Sequence, residues 1–205
     1  MSSYWLRLYH GTTFVLHRAS PLCPSPTLES TKKCLQSAGA YVADISKVLQ
    51  HSDVPLSWML VQGVLFAGLT MLVTTHLSVG QFETQDNLTL ILVDLPAWTR
   101  QCSICLAIMN ERWDDSLLSR LILQFEGLVN DTLRYLSSAL TRSHSSIEPL
   151  EPTHTGPDRT STAWPGYDSH NPTDVTAMPE SYFELMKDAM GFELDQSFWD
   201  LFPLS

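Results

Sequence analysis

An all-α bundle of about five helices, followed by a disordered acidic tail, is the fold class this sequence predicts. Three observations predict it. Up to about residue 140, apolar residues recur three and four apart in one segment after another, the spacing of a helix face. No segment there shows convincing strand alternation. From Arg142 onward the composition changes to Ser, Thr, Pro and His, with too little apolar content to bury a core.

Residues 4–17 place Trp5, Leu8, Tyr9, Thr12, Val15 and Leu16 on one helical stripe, weakened by Gly11. This stripe is the expected core face of the first helix. Pro21, Pro24 and Pro26 then mark a connection. Ser25 is placed to cap the second helix, with Pro26 at its first position, where a missing N–H costs nothing. Cys34, Ala38, Tyr41, Val42, Ile45, Val48 and Leu49 recur at helical spacing to about residue 50. Asp53 and Pro55 announce a third helix.

The third helix is the apolar maximum, Trp58 to Val73, interrupted by Gln62 and Thr70. A membrane span needs about 20 predominantly apolar residues. This run is a little short, and Lys and Arg are missing from its flanks, so a central bundle helix, apolar all round, fits it better. Gly63, Ala67 and Gly68 would let neighbouring helices approach closely. In residues 80–93, Thr89 to Val93 suits either a short strand or, in an all-α setting, a helical turn. Asp94 is placed to cap a fourth helix with Pro96 in its first turn. Trp98, Cys102, Cys105, Met109 and Trp113 form its inner stripe. Asp114, Asp115 and Ser116 open the fifth, which runs through Leu118, Leu121, Ile122, Phe125, Leu128, Val129, Leu133, Leu136 and Leu140. Arg112 is expected near the two aspartates.

Charge is uneven along the chain. Residues 1–140 hold nine Lys/Arg and eleven Asp/Glu, a net of −2, whereas residues 141–205 hold three Lys/Arg and eleven Asp/Glu, a net of −8. Phosphates repel such a chain, so direct nucleic-acid contact is not expected. Four cysteines, Cys23, Cys34, Cys102 and Cys105, are too few for a dense disulfide framework. With no signal peptide in view, reduced thiols inside the cell are expected. Asn87-Leu88-Thr89 and Asn130-Asp131-Thr132 match the glycosylation pattern only by chance on that reading.

Cys102-Ser103-Ile104-Cys105 has a metal-like spacing, but no second pair joins it, so core packing explains both sulfurs better than zinc or redox chemistry. His10 and His17 lie two turns apart with no carboxylate at helical spacing to complete a ligand set. No phosphate loop and no nucleophile elbow is present. Nothing in this pattern equips an enzyme, and no catalytic residue or metal ligand is assigned.

The C-terminal 179–205 carries the sharper signal. Bulky aromatics alternate there with carboxylates. Read helically, Tyr182, Phe183 and Met186 share a side, and Phe198, Trp199 and Phe202 form an i, i+1, i+4 anchor set. Such sets enter hydrophobic grooves as short amphipathic helices, and acidic neighbours steer them towards basic-rimmed surfaces. These six residues are the expected partner-binding residues, facing coactivator or general transcription proteins. The competing expectation is that the segment folds back onto its own bundle.

The order of several pieces resembles the regulatory, middle homology region of fungal binuclear zinc-cluster transcription factors. The pieces are Leu6-Arg7-Leu8-Tyr9-His10, Leu16-His17-Arg18-Ala19-Ser20-Pro21, Cys34-Leu35-Gln36-Ser37-Ala38, Phe66-Ala67-Gly68-Leu69, and the run Cys102 to Trp113 closing on Arg112-Trp113. The resemblance implies a helical regulatory region over 1–140, a nuclear location, frequent homodimers and a terminal activation segment. The family's zinc-bearing six-cysteine module has no counterpart here, so no zinc ligand or DNA contact carries over and no cofactor is expected. The expected organisation is a regulatory bundle at 1–140, a disordered linker at 141–178 and an activation segment at 179–205. The alternative is a small membrane-associated protein anchored by residues 55–75.

Overall fold

The computed structural model describes residues 3–20, 23, 25–51, 55–82, 88–145 and 185. Among them are five α-helices and no strand: α1 (Ser3–His17), α2 (Leu28–Leu49), α3 (Trp58–Ser78), α4 (Leu95–Trp113) and α5 (Ser116–Ser145). The all-α expectation holds. The fifth helix continues five residues past Leu140.

Helix α3 is the hub and packs against α2, α4 and α5, with α1 touching it lightly. Its apolar side chains are buried on several sides, including Val61, Val64, Leu65, Ala67, Met71 and Leu72. Close approach needs its glycines. A methyl group on Gly68 would lie 2.7 Å from the Phe125 ring of α5 and 3.3 Å from Cys102 Sγ of α4, and one on Gly63 would meet the Tyr41 hydroxyl of α2. Polar groups buried along α3 find partners on their own helix and on its neighbours: Thr75 Oγ1 donates to Met71 O at 2.8 Å, and Thr74 Oγ1 shares a 3.7 Å hydrogen bond with Cys34 Sγ of α2.

Three boundaries differ from expectation. Thr27, not Ser25, caps α2: its hydroxyl accepts from Ser30 N at 3.3 Å. Pro26 is buried and helix starts after it. Helix α3 starts after Ser57 in extended backbone; Asp53 lies outside the described residues. Asp94 caps nothing. It is itself helical, because a π-helical turn over Leu90–Asp94 runs straight into α4. The Thr89 to Val93 segment is therefore helical, as the all-α neighbourhood suggests.

The α4–α5 corner is built by two aspartates with different tasks. Asp114 takes the left-handed conformation at φ 51°, and its N–H donates to Asn110 O at 2.7 Å, closing α4. Asp115 Oδ1 accepts from Leu117 N at 2.7 Å, covering a free N–H of α5. Arg112 turns away from both. Its Nη2 donates to Leu49 O at the end of α2 at 2.8 Å, where a cation meets the negative end of a helix. Trp113 stacks on Trp58 with centroids 6.1 Å apart and planes 17° apart.

Cys102 and Cys105 are fully buried and free. Burial pushes the Cys105 thiol up to about 11 and raises the Cys102 thiol well above its ordinary value, with the neighbouring sulfur adding to the latter. These are inert core thiols rather than a redox pair. Trp98 lies over Gly39 of α2, so the tryptophans of this stripe are packed against neighbouring helices.

Candidate protein interface

Helix α1 is inverted relative to its hydrophobic stripe. Trp5 is 61% exposed, Tyr9 64% and Leu16 75%, with Tyr4, Leu8 and Val15 also in solvent. The inward residue is Phe14, 3% exposed, which the stripe omits. Its ring meets Tyr41 edge-on and Phe66 at a tilt, both with centroids 5.7 Å away.

The polar residues of α1 explain this choice. Arg7, His10 or Gly11, Phe14 and His17 recur at steps of three or four residues, forming one face. His17 Nδ1 and Ser30 Oγ share a 2.8 Å hydrogen bond. Cys34 Sγ donates to Phe14 O at 3.4 Å. Arg18, just past the helix, lays its guanidinium over the Phe66 ring at 4.9 Å. Burial lowers the Arg18 pKa and lifts the Cys34 thiol to about 11. One large ring, with hydrogen bonds around it, fixes the helix. The larger apolar area is left outside.

Beside this exposed face runs a groove of about 650 Å³, lined by Tyr4, Arg7, Leu8, Leu16, Tyr41 and Met59 among others. Met59 is 80% exposed. None of the described lining residues carries a carboxylate. Arg7 Nε is buried and has no hydrogen-bond partner among the described residues. Helix α1 itself contains no Asp or Glu. The surface is thus aromatic, apolar and cationic. A second groove of about 510 Å³ lies between the π-helical turn and the end of α5, lined by Leu88, Leu92, Leu133 and Leu140 among others.

The six expected partner-binding residues, Tyr182, Phe183, Met186, Phe198, Trp199 and Phe202, lie outside the described residues. Between Phe183 and Met186 stands Leu185, which is described: it is helical, 0% exposed and part of the bundle's apolar core. Sequence reasoning passed over it because its larger neighbours dominated the pattern. Arg7 and Met59 were also missed as interface residues. The signal for Arg7 was present in its register with His10 and His17.

Among the described residues no three His, Cys, Asp or Glu side chains are placed to hold a metal ion. Compared with family models, curated proteins and solved structures, the chain matches none of them.

Proposed function

We propose that this protein is a transcription regulator acting through protein–protein contacts, with a helical regulatory bundle and an acidic-aromatic activation segment at 179–205. The observation that carries the reading is an apolar, cationic face left in solvent on a chain that also ends in aromatics set among carboxylates. Contiguous exposed apolar surface marks interaction sites, and alternating aromatics and carboxylates suit a segment that binds a groove. The resemblance to the fungal zinc-cluster regulators supplies the nuclear setting. On this reading the chain works without a cofactor, a catalytic centre or a direct nucleic-acid contact of its own. It either activates through coactivators or titrates partners, including copies of itself.

Two segments, Trp58–Gln81 and Leu90–Trp113, are long and apolar enough by length and composition to cross a membrane. This favours the second reading, anchorage by residues 55–75. Against it, most of the apolar window in the first segment is buried inside the bundle, as a core helix requires.

The test tethers the 179–205 segment to a heterologous DNA-binding module and reads a reporter. Alanine at Phe198, Trp199 and Phe202 together is expected to abolish activation. Unchanged output rejects the activation segment. Recovery of the chain in a carbonate-resistant membrane pellet would replace the reading with the anchored one.

A further inference from the structure

We propose that the groove beside α1 is the docking site of the chain's own terminal segment Phe198–Phe202, with Asp200 paired to Arg7. The claim rests on the reading of 179–205 as the activation segment only for its consequence, that docking masks the segment. The occupancy itself follows from four observations.

The groove is open, apolar and of a size that holds a few large side chains, at about 650 Å³. Its described lining residues include one cationic side chain, Arg7, and no carboxylate. A complementary occupant therefore brings bulky apolar groups and one carboxylate. Phe198-Trp199-Asp200-Leu201-Phe202 has that composition, within a stretch, 179–205, holding six Asp/Glu and one Lys. A second α1 would instead set Arg7 against Arg7.

Tethering decides between this segment and a free acidic peptide. Leu185 is in the bundle core, and Phe198 follows it by thirteen positions. Thirteen residues reach at most about 45 Å. Helix α2, with 22 residues, is about 33 Å long. Fully extended, the tether is therefore longer than α2, the helix against which α1 packs. A short tether raises its local concentration to the order of millimolar. At that level, even a weak groove is largely occupied by its own chain before a free peptide competes.

The experiment uses the full chain with the photo-crosslinker p-benzoylphenylalanine in place of Leu201, so that Phe198, Trp199 and Phe202 are kept. Light and heavy isotopic chains are mixed before irradiation, and adducts are mapped by mass spectrometry. The expected adducts fall on Met59 and on Leu8 or Leu16, within single chains. Arg7→Glu is expected to lower their yield about tenfold, the loss of one charge-assisted pair, and Arg7→Glu with Asp200→Arg to restore it. Leu16→Glu changes an exposed position, leaves the fold intact by circular dichroism, and is expected to lower the yield as well. Adducts between light and heavy chains would make a second copy the occupant and overturn the proposal. So would adducts confined to other surfaces, or a yield indifferent to all three variants. An Arg7→Glu chain whose segment is released from the groove, yet still fails to activate the reporter, would sink the transcriptional reading and leave the docking standing.

Discussion

Arg112 of α4 donates from Nη2 to the carbonyl oxygen of Leu49 at 2.8 Å, joining the ends of two helices that are 63 positions apart in sequence. The carbonyl belongs to the last turn of α2, where acceptors lack partners within the helix. Beside it Trp113 lies on Trp58. One dipeptide thus fastens the end of α4 to the end of α2 and the start of α3.

Replacing Arg112 by Leu should destabilise the chain by about 1–3 kcal/mol, because a charged donor is lost and a helix-end carbonyl is left without it. Arg112→Lys keeps the charge but not the planar fork, and should fall between. Urea midpoints at unchanged slope measure both. Two midpoints equal to that of the parent chain would show that the bond contributes nothing.

The crowding at Gly68 predicts opposite outcomes for two glycines. Gly68→Ala places a methyl 2.7 Å from the Phe125 ring and should cost about 1–3 kcal/mol. Gly127, mid-way along α5, has nothing within 4 Å of an added methyl. There Gly→Ala should stabilise by about 0.5–1 kcal/mol through helix propensity. Combining Gly68→Ala with Phe125→Leu should recover part of the first loss, which a double-mutant cycle reads directly.

Thiol chemistry separates Cys23 from the other three. Cys23 is exposed, whereas Cys34, Cys102 and Cys105 are buried. One equivalent of a thiol reagent should react quickly at pH 8, and three more only on unfolding. Burial raises the folded pKa of Cys34 and Cys105 to about 11 from an ordinary value of 9.0. A raised folded pKa means that the unfolded chain loses these protons first. The contribution of both thiols is therefore complete below about pH 9 and is lost as pH rises towards 11. Cys34→Ser with Cys105→Ser should flatten that alkaline slope in urea titrations repeated across this range.

How far the sequence reveals this fold depends on what each element packs against. Helices α2, α4 and α5 were legible because each buries the face its periodicity marks: Cys34, Ala38, Val42 and Ile45 in α2, and Leu118, Leu121 and Phe125 in α5 are all in the core, whereas α3 was legible as the helix apolar all round. Capping was legible to within two positions only at α2, where Thr27 takes the task in place of Ser25; Ser57 makes no side-chain cap bond, and Asp94 lies inside a helical turn. The face of α1 was not legible. Pattern reasoning turns the larger apolar stripe inward, but a single ring, Phe14, fits between Tyr41 and Phe66. His17 and the Phe14 carbonyl find hydrogen-bond partners there, although Arg7 Nε and His10 Nδ1 on the same face find none among the described residues. Leu185 was hidden for a related reason. It falls off the side that Tyr182, Phe183 and Met186 share, and its burial depends on a surface formed 40 or more residues earlier.

Leu185 gives a test of whether the C-terminal stretch belongs to the folded unit. It is 0% exposed in the bundle core. Leu185→Ala in the full chain should cost about 2–5 kcal/mol, the range for deleting a buried Leu side chain. Leu185→Asp should cost more, because it asks the core to hold a carboxylate. A segment independent of the bundle would show neither effect, and surface substitutions stay within about 0.5 kcal/mol. Trp5→Ala provides that baseline, since Trp5 is exposed. Phe14→Ala provides the core reference at about 3–5 kcal/mol. If Leu185→Ala tracks Phe14, the bundle is incomplete without its tail, and truncation before residue 185 should lower stability by a similar amount. If it tracks Trp5, the burial of Leu185 contributes nothing to folding, and the tether assumed for the terminal segment would be lost with it.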